Sequence, residues 1–141
     1  MIAVAQVELE RLQSLANDAS VDVTFHFGVS DEALVDAYQS AAVTLYLAKA
    51  EPFGLVSVEA QACGSTMVLV DEGGLPETAA GNPLVIVAER KVDAIAAAMA
   101  TALRPVDAAE RQVCAESVQQ RWSWDVSSKL LADALKEVAN R

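Results

Sequence analysis

The sequence predicts an α/β fold, a Rossmann-like parallel sheet with helices on both faces. Three observations carry the prediction. Short runs rich in β-branched and apolar residues recur at 21–27, 43–47, 66–70 and 84–87. Segments with helical spacing lie between them, as crossovers joining parallel strands require. Loops follow the first three runs at 28–30, 48–54 and 71–76, and in such sheets the crevice beyond the strands' carboxyl ends is where ligands bind.

Taken in order, residues 3–17 place Val4, Val7, Leu12 and Leu15 on one side of a helix, with Glu8, Glu10 and Arg11 among the polar positions. Val21–Phe27 is β-branched and aromatic and stops at Gly28, which predicts a strand. Ser30, Asp31 and Glu32 open a helix to about Ala41, because a short polar side chain caps unpaired N–H groups and early acids suit the dipole. Val43–Leu47 is the second predicted strand. A helix from Leu55 to Cys63 ends at Gly64, and Thr66–Val70 is the third strand. Pro76 suits the first turn of a short helix that Gly81 ends, ahead of a short strand, Leu84–Val87. Helices over about 91–103, 107–121 and 125–139 complete the chain, with Pro105 separating the first two. Met67 and Met99 read as core, and Trp122 and Trp124 as anchors for the terminal helices.

Bulk properties bound the function. The 141 residues suit one domain, on a prior of roughly 100–200 residues each, and 53% of them are hydrophobic, enough for a core. Twenty acidic residues against ten basic ones give a net charge of -10, which repels nucleic-acid backbones and anionic lipid. Only Arg11 and Lys49 among the cations precede residue 90, and the remaining eight read as solvated helix faces. Lys49 reads as a solvated loop residue. Cys63 and Cys114 fit no zinc spacing and no Cys-x-x-Cys, which suggests two reduced, small apolar thiols. No secretion signal stands out, and apolar runs such as Ala41–Ala48 fall far short of the ~20 residues that span a bilayer. The expectation is a cytoplasmic protein that is not integral to a membrane.

The segment from Glu51 to Gly64 carries the chemistry. It reads as a strand end, a rigid turn at Pro52, and a helix whose amino terminus points into the crevice. The first N–H groups of that helix lack internal partners and sit at the positive end of its dipole, so Phe53–Val56 suits a phosphate. Gly54 lets a ligand approach the backbone. Glu51 precedes the helix, and Glu59 returns one turn after Leu55 to the same face. Two carboxylates beside a phosphate nest make sense as acceptors for hydroxyls on either side of it, the layout of a nucleotide-sugar. A plain turn with two solvated glutamates is the alternative on pattern alone. His26 alternates with Phe25 and Phe27 and reads as structural or exposed.

Glu51-Pro52-Phe53-Gly54-Leu55 with Glu59, then Ala62-Cys63-Gly64, then Gly73-Gly74-Leu75-Pro76-Glu77, resembles the carboxy-terminal, donor-binding domain of family-four retaining glycosyltransferases of GT-B fold (glycosyl transferases group 1). Phe25-His26-Phe27-Gly28, Asp31-Glu32 with Leu34 and Tyr38, and Trp122-Ser123-Trp124 extend the likeness across nearly the whole chain. The resemblance implies transfer of a sugar from a nucleoside diphosphate sugar to an acceptor hydroxyl, with anomeric configuration retained. It implies Glu51 as the catalytic residue, contacting the donor sugar's hydroxyls near the anomeric centre, and Glu59 on the ribose hydroxyls. It further implies backbone N–H groups of Phe53, Gly54 and Leu55 facing sugar and diphosphate, with Gly73 and Gly74 beside them. It implies no cofactor and no metal, and no Asp-x-Asp site is present to argue otherwise.

The chain also departs from that pattern. It lacks the Arg and Lys that clamp the diphosphate, and Ala48 and Ala50 flank Lys49 where a serine or threonine often precedes the first glutamate. The expectation for 1–141 is therefore a single, incomplete nucleotide-sugar-binding domain, lacking two opening strands and the family's second domain. In the order 3-2-1-4-5-6, losing strands one and two leaves Val21–Phe27 and Val43–Leu47 paired directly, or Val43–Leu47 as an edge. An exposed apolar edge invites self-association, and a marginal, rearranged or partnered fragment is expected. A non-catalytic nucleotide-binding or fold-only module is the competing function. A nucleotide-sugar epimerase, which lacks the full Glu-Pro-Phe-Gly-Leu run, ranks last.

Overall fold

The computed structural model describes residues 2–79 and 81–140, with side chains from Gln6 onward. They fall into two compact units, residues 1–30 and 31–141.

The first unit is helix α1 (Ile2–Asp18) and the segment that follows it. Glu8 and Arg11 pair on its surface, and Gln6 with Glu10 and Gln13 with Asn17 add bonds four residues apart. Val4 lies outside the described side chains. Val7 and Leu15, expected on an apolar face, are exposed, and Ala16 is the buried residue among the described side chains of the helix. Residues 21–27 form no strand, which corrects the expectation from their pattern. A β-conformation persists by exchanging hydrogen bonds with a neighbour, and no ladder partner pairs with these residues. Val21, Val23 and Phe27 are correspondingly exposed. His26 is exposed as well.

The second unit is an α/β sandwich. Its elements run α2 (Asp31–Ser40), β1 (Thr44–Tyr46), α3 (Leu55–Ala62), β2 (Met67–Val70), α4 (Leu75–Ala79), β3 (Val85–Ala88), α5 (Val92–Ala102), α6 (Ala108–Trp122) and α7 (Trp124–Ala139). The strands form one parallel sheet in the order β1-β2-β3, with Leu45 opposite Val68 and Val68 opposite Ile86. Of the two arrangements open from the sequence, the second holds: β1 is an edge of this sheet.

All four residues of β2 are buried, as a central parallel strand covered on both faces requires. Met67 and Leu69 pack with Ala60 of α3 and Leu75 and Ala79 of α4. Val68 points the other way, onto Ala98 and Ala102 of α5, with Met99 half-buried beside them. The Ala-rich stretch of α5 lets that helix lie close to the strand. Asp107 caps α6 by accepting from the Glu110 N–H at 2.7 Å, and Ser123 caps α7 from the Val126 N–H at 3.3 Å. Helix α7 buries none of its residues, and Leu130, Leu131, Leu135 and Val138 stay exposed. Cys114 is buried and Cys63 half-buried, and burial pushes both thiols above their ordinary pKa. Among the described residues no helix is long and apolar enough to cross a membrane.

Candidate functional site

Parallel strands end on the same side, so the segments leaving β1, β2 and β3 meet along one edge of the sheet. The loop from β1 brings Glu51 to the tip of α3. The Glu51 carboxylate is held twice: Oε1 accepts from the Gly54 N–H at 3.1 Å, and Oε2 from the Tyr46 hydroxyl at 2.9 Å. Its backbone carbonyl accepts from the Gly74 N–H at 2.9 Å. Gly73 and Gly74 approach so closely that a Cβ on either would collide with the Glu51 or Pro52 carbonyl. Glu51, Gly54, Gly73 and Gly74 are thereby brought into one cluster.

Gly54 caps α3 with φ 101° and ψ 58°, a left-handed conformation that favours glycine. A Cβ there would also lie 2.6 Å from the Leu75 side chain, which is fully buried. The Gly54 N–H, expected to face a donor, is instead taken by Glu51. The N–H groups of Leu55 and Val56 lie in the first turn, where the helix offers no carbonyl to bond them.

Glu59 stands exposed one turn beyond Leu55 on the same face. Its charge reaches both tyrosines of the chain. The Tyr38 phenol is pushed above its ordinary pKa by burial first and by Glu59 second. The Tyr46 phenol is held up chiefly by its hydrogen bond to Glu51, then by burial and by the charges of Glu51 and Glu59. Glu51 thus sits at the tip of α3, and Glu59 within the same helix. Phe53, Leu55 and Glu59 line a cleft of about 420 Å³ with Val58, Trp122 and Trp124. Phe53 meets Trp122 edge to face, centroids 5.0 Å apart. Trp122 thus anchors the helix junction as expected, but Trp124 does not: it is 89% exposed. A cleft of about 450 Å³ at Pro76, Asn82 and Val87 has no ionisable lining and lies apart from these groups.

Two features of the site are not visible in the local sequence pattern. Arg90, one of the eight cations that read as solvated helix faces, instead precedes α5 and straps the site loop. Its guanidinium donates to the carbonyls of Leu47 (2.9 Å) and Ala48 (2.6 Å) and pairs with Glu72. Glu72 in turn accepts from the Ala50 N–H at 3.1 Å, holding Ala50 at φ 54°. The Arg90 bond, then the Ala50 N–H, lowers the Glu72 pKa. Lys49 is exposed in that loop. The second feature is a buried polar chain. Gln61 donates to Ser57 Oγ (2.9 Å) and to the Thr78 carbonyl (3.1 Å) and accepts from Asn82 (3.0 Å), while Thr78 donates to Ser57 (2.8 Å). It locks α3 to α4 beneath the tip. A run of apolar spacing broken by Ser, Gln, Thr and Asn was the only available signal. Among the described residues, no three of His, Cys, Asp and Glu gather as a metal site.

The family described as glycosyl transferases group 1 matches residues 4–121. A GDP-mannose-dependent alpha-(1-6)-phosphatidylinositol monomannoside mannosyltransferase of Mycobacterium tuberculosis (strain CDC 1551 / Oshkosh) is 35% identical over 140 residues, covering 91% of this chain and 36% of that protein. A D-inositol 3-phosphate glycosyltransferase of Streptomyces griseus is 33% identical over 128 residues, 88% of this chain and 27% of that protein. A sucrose-phosphate synthase from Thermosynechococcus elongatus superposes with a TM-score of 0.76 at 26% identity, over 95% of this chain and 35% of that one. The chain thus spans about a third of the length of these proteins.

Proposed function

The chain belongs to the group 1 glycosyl transferases, and on that premise we propose that it is the donor-binding part of a retaining transferase, moving a sugar from a nucleoside diphosphate sugar to an acceptor hydroxyl. One observation carries the reading: the Glu51 carboxylate is seated at the tip of α3, with Glu59 one turn along the same face. Glu51 accepts from the sugar's hydroxyls and Glu59 from the ribose. The diphosphate lies between them, against the first-turn N–H groups of α3 and the Gly73-Gly74 turn. As the bond to the anomeric carbon breaks, negative charge grows on the leaving diphosphate. Oriented N–H dipoles stabilise it without rearrangement, commonly a large part of such catalysis. No cofactor or metal takes part in this reading, which donor binding unchanged by EDTA checks, and the location is cytoplasmic.

The mannosyltransferase relative puts GDP-mannose first among donors to test. Calorimetry with GDP-, UDP- and ADP-sugars at millimolar ligand decides the matter: heat with one supports the reading, and none with any of them rejects it. A second reading, a nucleotide-binding module without catalysis, is favoured by the lining of the cleft at Phe53, Leu55 and Glu59, which among the described residues holds no cation to neutralise a departing diphosphate. Donor binding with no transfer even when the chain is joined to an amino-terminal domain from a group 1 transferase selects it. Light scattering tests for a partner, whether a second domain or another copy at the β1 edge.

A further inference from the structure

Tyr46 is the last residue of β1, opposite Leu69, and its ring packs on the cluster of Met67, Leu69 and Leu75. An anchored ring leaves a phenol little freedom, so its hydroxyl sits at a defined point above the end of the sheet. Glu51 reaches that point five residues later. A loop of Leu47, Ala48, Lys49 and Ala50 joins the two, with no hydroxyl of its own to offer the carboxylate. Arg90 pins that loop at Leu47 and Ala48, and Glu72 pins it at Ala50. Neither contact touches the Glu51 side chain.

We propose that Tyr46 is a positioning residue for Glu51: its hydroxyl on Oε2, with the Gly54 N–H on Oε1, sets the plane of the carboxylate and aims its unused lone pairs at the hydroxyls of a bound sugar. A carboxylate has about four lone-pair directions, and these two bonds occupy two. The outward pair is left, at a fixed angle. Without the phenol, rotation about the last side-chain bond spreads those lone pairs over many directions, and each sugar hydroxyl must select one. Preorganisation of this kind is lost as weaker binding of the group being held, not of the whole ligand. The proposal rests on Glu51 facing the donor sugar.

The test uses the full chain with Tyr46→Phe, which keeps the packed ring and removes only the hydroxyl. Calorimetry compares a nucleoside diphosphate sugar with the matching nucleoside diphosphate. The expected result is roughly a three- to tenfold loss for the sugar nucleotide, the span of one hydrogen bond, and no change for the bare diphosphate. Equal loss for both ligands, or for neither, overturns the proposal. Alkaline titration of tyrosinate absorbance reads the contact without any ligand. Glu51→Gln should move one phenol step to lower pH, and Tyr46→Phe should remove that step; an unmoved step overturns the contact itself. Failure of the wild-type chain to bind either ligand rejects the donor reading and with it the role in binding, while the titration still decides whether Tyr46 holds Glu51.

Discussion

The Gly74 N–H donates to the Glu51 carbonyl over 2.9 Å, tying the turn after β2 to the residue that opens the tip of α3. That bond requires two backbones to touch. A Cβ on Gly74 would meet the Pro52 carbonyl, which is main chain and cannot swing aside. Gly74→Ala therefore displaces the loop carrying Glu51. Overpacking of this kind costs about 1–3 kcal/mol, read as a lower urea midpoint, and donor heat should vanish in calorimetry.

The polar chain under α3 has no water to fall back on, since Ser57, Gln61 and Thr78 are all buried. Gln61→Leu leaves the Thr78 carbonyl and the Asn82 amide without their partner. A loss of about 1–3 kcal/mol per stranded group is the expected scale. Urea unfolding measures it. Stability unchanged within error would mean that the chain of bonds does not hold α3 against α4.

Glu72 predicts a pH dependence. Arg90 lowers its pKa in the folded chain below the ordinary 4.5. The bond thus stabilises the fold above the ordinary carboxylate value and is lost as pH falls through the lowered one. The stability difference between wild type and Glu72→Gln should be constant near neutrality and shrink in acid below that ordinary value. Because the pair is partly exposed, salt should also reduce the difference.

The two tryptophans should separate cleanly. Trp122 packs on Phe53, an edge-to-face pair worth about 0.5–1.5 kcal/mol beyond its buried area. Trp124, at 89% exposure, has little to lose. Trp122→Ala should lower the thermal midpoint, whereas Trp124→Ala should stay within about 0.5 kcal/mol of wild type. In acrylamide quenching, the fluorescence of Trp124→Phe should be the better shielded of the two single-tryptophan variants.

The sequence by itself determined the order of helices and strands from residue 31 onward and the segment that opens α3. Those follow from periodicity, caps and turn residues within a few positions of one another: Asp31 and Glu32 opening α2, Gly54 before a helical run and Gly64 after it, Pro105 between α5 and α6. Glu51 and Glu59 were legible for the same reason, since a spacing of eight along one motif places both near one helix end.

Only the tertiary structure decided the rest. Whether 21–27 becomes a strand depends on a partner's backbone, and its local pattern says nothing about one. Arg90 reaches carbonyls 42 and 43 residues away, and Gln61 meets Asn82 across 21. The exposure of Trp124 depends equally on what packs beside it. Tyr46 and Glu51 are only five apart, yet their bond needs β1 seated on β2 so that the ring is held still. Local rules set which residues can bond; the position of a hydroxyl relative to a carboxylate is set by everything packed behind it.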